Sequence, residues 1–407
     1  MPSKSRLPLA CVLLCGVVLI ATLMAALGWD RAWRVWNVQV AVQPFLDSQV
    51  IAAGATSWRE GHDPLRFNPH DIGHRPMNYP RVWQGLFVLG LRQEHAAALG
   101  WTLAVLLLAG VWLAMPRLGW GEAAVVGLAV FSPAVLLGVE RGNTDLAVFF
   151  VLAVALAVPG AAWNATWVAV AFALKLFPLA AGAVLCGRPR REALIAGGVL
   201  AGFAVLYVAA NFDDLRLISA ATPRDTWLSY GLNVLPLRLG RVSGLAGLAA
   251  FAVAWLAAAA VVWGACRARI RRGADATIAA DDGALDAFRV GAACYVGTFL
   301  LGNNFIYRLV FVVLVVPQLW RWARGRAAER TLARAGLLAA LGSLWVLGFD
   351  RASWVVRRDE WLWFSVGQAF NWLLFATLCR LLISSLPEWT VGPWRRRSAG
   401  REAVGRS

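Results

Sequence analysis

Charge is scarce in this sequence of 407 residues. Only 15% of the residues are charged, whereas 59% are hydrophobic, and the mean hydropathy is +0.61. A soluble domain carries about 25% charged residues, so the composition excludes an ordinary soluble globular protein. The charges are also unbalanced, because 39 lysines and arginines outnumber 23 acidic residues and leave a formal net charge of +16.

Cysteine and histidine are scarce as well. The six cysteines lie within or at the ends of apolar stretches, without the spacing of metal ligands, and are interpreted as small buried hydrophobic residues. Among the four histidines, His70 and His74 lie near Asp63 and Asp71, a spacing that would suit an external divalent metal. Loop histidines at this spacing are more often unrelated to metal binding, so the sequence predicts neither a metal site nor another cofactor.

Long apolar blocks dominate what is present. Each block is roughly 17–25 residues long, the length that a helix needs to cross about 30 Å of hydrocarbon. The blocks cover residues 7–27, 96–115, 123–139, 161–186, 193–210, 245–266, 332–349 and 361–382. Shorter apolar stretches at 79–91, 144–158, 286–301 and 306–320 bring the prediction to about twelve spans. The predicted fold class is an all-α polytopic membrane protein.

Arginines cluster in short segments between the apolar blocks. The clusters lie at 188–191, 267–272, 321–330 and 395–397. Twelve spans place all four clusters on one side, which the positive-inside rule identifies as the cytoplasm. This distribution accounts for the basic charge by membrane topology and attraction to anionic membrane lipids, so nucleic-acid binding is not predicted. Both termini are then cytoplasmic.

Two polar stretches fall on the outer side, at 28–78 and 211–241. The first is too long to be only a connector. We divide the chain into an N-terminal catalytic membrane module, residues 1–242, and C-terminal helices with a basic cytoplasmic tail, residues 243–407. The charged junction at 138–145 has two interpretations. Strict alternation of spans places it inside, whereas a broken helix would leave it part-way into the membrane, where it must line a cavity.

Ionisable side chains within or beside apolar spans are the candidate site residues, because burying them is costly. They fall in four places: Asp47 after the first helix, the stretch 140–145, Lys175 within an apolar span, and Tyr307 with Arg308 near the end of another. Each has a structural alternative. Asp47 could lie in the first turn of a surface helix, and the 140–145 stretch could form a self-neutralised ion pair. The Lys175 side chain could snorkel to the membrane surface, and Arg308 could anchor the helix to lipid headgroups.

The order and spacing of these segments resemble the GT-C superfamily of membrane glycosyltransferases, with the nearest likeness to glycosyltransferase family eighty-seven. That family includes bacterial mannosyltransferases that use polyprenyl-phosphate mannose. The resemblance covers roughly residues 7–320. The matching pieces are Asp47, Gly61-His62-Asp63-Pro64, Asn78-Tyr79-Pro80, Glu140-Arg141-Gly142-Asn143-Thr144-Asp145, Leu174-Lys175-Leu176-Phe177-Pro178 and Asn304-Phe305-Ile306-Tyr307-Arg308.

The resemblance implies an inverting transfer of a sugar, with mannose favoured, from a polyprenyl-phosphate donor to a lipid-linked or glycan acceptor. It implies an active site at the extracytoplasmic face of the bacterial inner membrane. Asp47 stands at the position of the general base, with Asp63 in reserve. Arg308, Arg141 and Lys175 would bind the donor phosphate. The implied substrate-binding residues are Glu140, Asn143, Asp145, His62, Tyr79, Asn304 and Tyr307.

Two other classes of membrane protein remain as alternatives. A transporter or flippase would use Glu140, Arg141, Asp145 and Lys175 to line a pathway. Inverted repeats would favour it, and the sequence shows no convincing repeat. A ligase or polymerase of lipid-linked glycans would share the donor lipid, but such enzymes usually have their largest outer loop later in the chain. The long first outer loop favours the transferase.

Overall fold

The structure, a computed structural model, describes residues 4–224, 227–272, 283–325, 329–352 and 360–390. The α-helices of the first half are α1 (Leu7–Leu27), α2 (Trp29–Val35), α3 (Leu46–Arg59), α4 (Gly85–Val88), α5 (Ala96–Ala114), α6 (Trp120–Val130), α7 (Pro133–Arg141), α8 (Asp145–Ala157), α9 (Ala161–Leu174) and α10 (Arg190–Ala210). Four 3-10 segments accompany the α-helices along the described chain: Arg81–Gln84, Gln93–His95, Phe177–Gly187 and Ile306–Val315.

The second half continues the helical architecture. Its α-helices are α11 (Phe212–Ala221), α12 (Val234–Gly240), α13 (Gly244–Arg272), α14 (Ala284–Leu301), α15 (Val316–Arg324), α16 (Arg330–Ala352) and α17 (Glu360–Ser384). Two short strands occur among the described residues, β1 (Ser229–Tyr230) and β2 (Asn304–Phe305), and they pair antiparallel. The predicted cytoplasmic tail, residues 395–397 included, lies outside the described residues.

Seven helical segments of the described chain are long and apolar enough to cross a membrane. They are Leu7–Leu27, Gln93–Ala114, Arg190–Ala210, Gly244–Ile270, Ala284–Leu301, Ile306–Arg324 and Trp361–Ser384. These apolar helices indicate a multi-pass membrane protein. The bent pair α6–α7 adds an eighth span if it is counted as one, and shorter apolar helices follow it. The predicted number of about twelve spans is therefore not confirmed.

The predicted span at 79–91 is wrong. This stretch forms only the 3-10 segment Arg81–Gln84 and the single turn α4 before the chain reverses at Gly90, whose φ is +91°. A glycine adopts this left-handed conformation without steric cost. Residues 79–91 therefore belong to the polar stretch between α1 and α5, which also contains α2 and α3.

The predicted span at 123–139 is broken. Helix α6 ends at Val130, and α7 starts at Pro133 with a bend of 50° between them. Proline has no N–H to continue a helix but suits the first turn of a new one. Ser132 caps α7 by accepting a hydrogen bond from the Val135 N–H at 3.4 Å. The expected single span is therefore two helices joined at a bend, and the position of the 138–145 junction relative to the membrane stays a prediction.

The predicted span at 161–186 is a hairpin rather than one helix. Helix α9 ends at Leu174, Lys175 is extended, and the 3-10 segment Phe177–Gly187 follows. Pro178 explains the break, because it has no N–H to donate and its ring would clash with the carbonyl of Leu174, four residues earlier, where α9 ends. Arg188 then donates to the Asn164 side chain at 2.8 Å, so the chain has returned to the start of α9. Lys175 therefore lies at the apex of a hairpin, not in mid-span as expected.

The arginine clusters that the structure describes gather at one end of the helix assembly. Arg188 of the first cluster pairs with Asp286 at 2.6 Å, and Arg321 of the third pairs with Glu122 at 2.7 Å. The rings of Phe288 and Trp322, 4.9 Å apart, join these two regions. This grouping agrees with the placement of the clusters on one side. That this side is cytoplasmic stays a prediction.

Candidate active site

Helix α3 places Asp47 against the end of α7. The Phe45 N–H donates to the Glu140 carbonyl at 2.9 Å, and the Ser48 hydroxyl donates to the Gly142 carbonyl at 2.7 Å. These two bonds fix the first turn of α3, which contains Asp47. Helix α3 is not among the helices that could cross a membrane. Burial raises the pKa of the Asp47 carboxyl above its ordinary value, although the hydrogen bond from Asn143 opposes this effect.

Gly142 permits this close approach. It ends α7 with a φ of +58°, in the left-handed region, where residues with a Cβ are disfavoured. A Cβ at this position would also collide with the Ser48 hydroxyl and lie 3.1 Å from Phe45 Cβ. The junction at 140–145 therefore packs directly on the polar stretch that follows α1. It lies at the same end of the protein as Asp47, and not at the end that holds the arginine clusters.

Polar side chains from four segments form one continuous set of hydrogen bonds, which we name the central cluster. Its members are Asp47, Asn143, Lys175, Asp145, Arg308 and Asn304. They come from α3, the junction between α7 and α8, the hairpin apex, and the segment at β2 and the following 3-10 helix. Residues separated by up to 261 positions in the chain are thus brought together, from Asp47 to Arg308.

Asn143 has its amide orientation fixed by its neighbours. Its Oδ1 accepts hydrogen bonds from the Asp145 N–H at 2.8 Å and from Lys175 Nζ at 3.2 Å. Both partners are donors, so this atom must be the amide oxygen. The amide NH2 group consequently faces Asp47 and donates to its Oδ2 at 2.5 Å. Asn143 therefore links the carboxylate of Asp47 to the cationic part of the central cluster.

Asp145 neutralises the two cations of the cluster. Lys175 Nζ lies 2.5 Å from its Oδ1, and Arg308 Nε lies 3.2 Å from its Oδ2. The Asp145 side chain is only 1% exposed, whereas those of Lys175 and Arg308 are 12% and 20% exposed. Buried charges require such compensation. The residual exposure leaves part of each cation open to an anionic ligand.

Aromatic rings and an amide complete the surroundings of the two cations. The Tyr79 ring lies 5.3 Å from Lys175 Nζ, and the Phe177 ring lies 4.5 Å from the Arg308 guanidinium carbon. Both distances fall within the range of cation–π contacts. Arg308 also donates to Asn304 Oδ1 at 2.5 Å, and Asn304 is itself fixed by the pairing of β2 with β1. Arg308 is therefore held from three sides.

Glu140 and Arg141 lie beside the central cluster, outside its hydrogen bonds. Glu140 Oε1 accepts a hydrogen bond from the Ala41 N–H at 2.9 Å, and its Oε2 lies 3.4 Å from Arg141 Nε. The Glu140 side chain is fully buried and anchors the backbone before α3. Arg141 is 14% exposed and close enough to Asp47 to interact electrostatically. Glu140 and Arg141 form the ion pair expected for this stretch, whereas Asp145, which was expected to share it, pairs with Lys175 and Arg308.

Asp63 and His62 make their contacts elsewhere. Asp63 pairs with Arg81 at 2.9 Å, and Arg81 also pairs with Asp214 at 2.6 Å. Although burial opposes it, the hydrogen bond from Arg81 holds the pKa of Asp63 below its ordinary value, which makes Asp63 a weak base. The His62 ring packs edge-on against Phe67 at 5.2 Å. The structure thus separates the reserve base from the hydrogen bonds of the central cluster.

Tyr307 and the external histidines are the remaining residues that the sequence singled out. Tyr307 stacks on Phe305 at 5.4 Å and is close enough to Asp47 and Asp145 to interact electrostatically. Of the external histidines, His70 pairs with Glu60 at 2.7 Å. Within the described residues, no group of three or more His, Cys, Asp or Glu side chains is placed to hold a metal ion.

Sequence reasoning missed Arg75, which braces the start of α3. It forms a two-point ion pair with Asp71, with both N–O distances at 2.8 Å, and donates to the Leu46 carbonyl at 3.3 Å. Although burial opposes it, the bonds from Arg75 hold the pKa of Asp71 below its ordinary value. The four-residue spacing of Asp71 and Arg75 was the available signal. Asp71 alone of this pair enters the sequence-based expectations, as a neighbour of the potential metal site.

An apolar cavity of about 860 Å³, the lateral groove, runs between α9 and α10. Alanines at every fourth position of α9 form one wall: Ala161, Ala165, Ala169 and Ala173. Ile195, Val199 and Phe203 of α10 form the other wall. The groove ends at Val82 and Leu174, and Leu174 directly precedes Lys175. An elongated apolar space therefore leads to the hairpin apex.

No protein-family model and no curated protein sequence matches this chain. Among solved structures, the chain is similar to the crystal structure of ArnT from Cupriavidus metallidurans in the apo state. The sequence identity is 15%, and the match covers 93% of this chain and 79% of that chain with a TM-score of 0.37. A likeness at this level carries no argument about function, which therefore rests on the site itself.

Proposed function

We propose that this protein is a membrane glycosyltransferase. It moves a sugar, with mannose favoured, from a polyprenyl-phosphate donor to a hydroxyl of a lipid-linked or glycan acceptor, with inversion at the anomeric carbon. The reaction takes place at the extracytoplasmic face of a bacterial inner membrane. The observation that supports it most is the central cluster, which joins a partly exposed carboxylate to two partly exposed cations at the end of an apolar groove.

Asp47 is the general base in this proposal. Its Oδ1 is left for the acceptor because Asn143 occupies Oδ2. Asp47 takes the proton of the acceptor hydroxyl as that oxygen bonds to the anomeric carbon. A base needs hydrogen-bond reach to the proton it removes, and a raised pKa makes it stronger. Burial provides that increase here.

Lys175 and Arg308 stabilise the leaving group. The bond between the anomeric carbon and the phosphate oxygen breaks, and the phosphate leaves with the electron pair and a greater negative charge. Cations that are already oriented stabilise this charge without reorganising. Asp145, Tyr79 and Phe177 provide the orientation through the contacts described above. Because one displacement suffices, no protein nucleophile is required.

The lateral groove fits the lipid part of the donor. It is lined almost entirely by apolar side chains, and its small alanines leave space along α9. A polyprenyl chain placed there would have its phosphate beside Lys175. A soluble nucleotide-sugar donor would gain nothing from such a groove, so the groove favours a lipid-linked donor.

The test is transfer by purified protein in lipid nanodiscs, supplied with radiolabelled polyprenyl-phosphate sugars and a bacterial membrane lipid extract. We expect wild type to transfer one of the sugars and Asp47→Asn to transfer none, with unchanged elution and thermal unfolding. Asp63→Asn is the matched control, since it removes the same charge from the same polar stretch, and it should retain transfer. Activity that survives in Asp47→Asn would refute the assignment of the base. Failure of wild type with every donor would contradict the transferase and favour the transporter alternative.

A further inference from the structure

The hairpin apex that contains Lys175 begins at the broken end of α9. This helix ends at Leu174, and Lys175 is extended, with φ −156° and ψ 137°. The last carbonyls of a helix have no partner within it. In a continued helix the Leu174 carbonyl would accept a hydrogen bond from residue 178, but Pro178 has no N–H. The carbonyls at this end of α9 therefore need donors from outside the hairpin.

Two side chains from other parts of the protein supply these donors. The indole Nε1 of Trp83 donates to the Leu174 carbonyl at 3.1 Å. The hydroxyl of Tyr207 donates to the Ala173 carbonyl at 2.9 Å. Trp83 belongs to the polar stretch between α1 and α5, and Tyr207 belongs to α10. The backbone that leads into Lys175 is thus held by two segments that are not its neighbours in the chain.

Trp83 also supports the ring that lies over the Lys175 ammonium. The rings of Tyr79 and Trp83 pack at 6.3 Å, and the Tyr79 ring lies 5.3 Å from Lys175 Nζ. Trp83 itself is only 7% exposed, so its position is fixed by packing. One indole therefore holds both the backbone before Lys175 and the aromatic partner of its charge.

The position of this backbone decides where the Lys175 ammonium lies. A lysine side chain is a flexible stem that can point its charge in many directions. The ammonium contacts Asp145 Oδ1 and Asn143 Oδ1 only while the apex stays in place. Hydrogen bonds weaken steeply once their geometry is lost, and a displacement of about 1 Å at a reacting centre can cost about a hundredfold in rate.

From these contacts we infer that Trp83 and Tyr207 are positioning residues for Lys175. They replace the donors that the chain lacks at the proline break, and they hold the ammonium beside Asp145 and Asn143. Neither side chain is assigned to the substrate; both act through the hairpin apex. The benefit to a donor phosphate rests on the proposed function, whereas the position of Lys175 can be measured without any substrate.

The test is competitive labelling of the amines with a trace of acetic anhydride, on the full-length protein in lipid nanodiscs and with mass spectrometry as readout. The lysines of the sequence are Lys4 and Lys175, so exposed Lys4 is an internal reference. Lys175 is only 12% exposed and is paired with Asp145, which limits access of the reagent. Trp83→Phe keeps an aromatic ring and removes the N–H, and Tyr207→Phe removes only a hydroxyl. In each variant the labelling of Lys175 relative to Lys4 should rise about two- to tenfold, the range that corresponds to one lost hydrogen bond.

A matched control separates positioning from general stabilisation. Trp163→Phe removes an indole N–H that donates to the Val154 carbonyl at 2.8 Å, near the other end of α9, and should label as wild type does. If Trp83 and Tyr207 only stabilised the fold, their variants would unfold at a lower temperature and label Lys175 as wild type does below it. Tyr207→Phe decides the question if Trp83→Phe does not fold. An unchanged labelling ratio in the folded variants would overturn the inference, and so would an equal rise in Trp163→Phe.

Transfer assays on the same variants link the positioning to the reaction. Both variants should raise the KM for the donor about two- to tenfold and leave the KM for the acceptor unchanged. A raised labelling ratio without any transfer by wild type would support the positioning of Lys175 and refute the transferase. Transfer by wild type with unchanged labelling ratios in the variants would refute the positioning and leave the transferase in place.

Discussion

Replacement of Asn143 by aspartate tests the link between the base and the cations. In the native protein the Asn143 amide donates to Asp47 Oδ2 at 2.5 Å, while its oxygen accepts from Lys175 and the Asp145 N–H. Asn143→Asp keeps the size of the side chain and the accepting oxygen. It replaces the donor that faces Asp47 by a second carboxylate oxygen.

The expected effect is a large shift in the pH dependence of transfer. The centres of the two carboxylates would lie about 4 Å apart, where like charges repel by about 4 kcal/mol at an effective dielectric constant near 20. One pKa unit corresponds to about 1.4 kcal/mol, so the repulsion amounts to about 3 units. The positive charge of Lys175 offsets part of this repulsion, so we expect the pKa of the carboxylate pair to increase by about 2 units. The pair then shares one proton at a pH where native Asp47 is ionised.

The measurement is the initial rate of sugar transfer from pH 4 to pH 9. Because the base must be ionised, wild-type activity should rise with pH through a midpoint above the ordinary carboxyl range of about 4, as the burial of Asp47 requires. The midpoint of Asn143→Asp should lie about 2 units higher. Asn143→Leu, which removes the hydrogen bonds without adding charge, should lower the rate and raise the midpoint by less than Asn143→Asp does, because it loses only the hydrogen bond that lowers the pKa of Asp47. An unchanged midpoint in Asn143→Asp would refute Asp47 as the base.

Three further predictions follow from single contacts. Arg308→Met should raise the KM for the donor about tenfold or more and leave the KM for the acceptor unchanged in steady-state assays, because Arg308 is assigned to the phosphate of the donor. Asp71→Asn should lower the free energy of unfolding by about 1–2 kcal/mol near pH 7. Because the pKa of Asp71 is lowered in the folded protein, this difference from wild type should shrink below about pH 4, as measured by thermal unfolding. Gly142→Ala should lower the free energy of unfolding by about 1–3 kcal/mol and abolish transfer. Its control is Gly198→Ala, at a position where a Cβ meets no atom within 4 Å, and this variant should unfold as wild type does.

The membrane class was predictable from the sequence because hydrocarbon imposes a length and a composition on every span. The first apolar block, 7–27, coincides with α1, and the block at 96–115 differs from α5 by one residue. Two of the errors, at 123–139 and 161–186, occurred where proline interrupts apolar sequence. At Pro133 and Pro178 the hydropathy continues although the helix does not, so a hydropathy pattern alone could not distinguish a straight span from a bend or a hairpin.

The identity of the site residues was also partly predictable, since ionisable groups in apolar sequence are costly and stand out. Asp47, Asn143, Asp145, Lys175, Asn304 and Arg308 were all singled out, and the structure joins them. Asp63 stood out equally well. Only its tertiary partners, Arg81 and Asp214, show that it is occupied in an ion-pair bridge away from that cluster.

The sequence by itself determined that this is a helical membrane protein with a small set of charged residues that require compensation. It did so because the hydrophobic effect and the cost of burying charge act on local composition. Tertiary structure alone decided that the 140–145 junction packs on α3 and that Lys175 lies at the apex of a hairpin beside Asp145. These features depend on contacts between segments that are distant in the chain. Ser48 and Gly142, for example, are 94 positions apart, and no local pattern encodes such contacts.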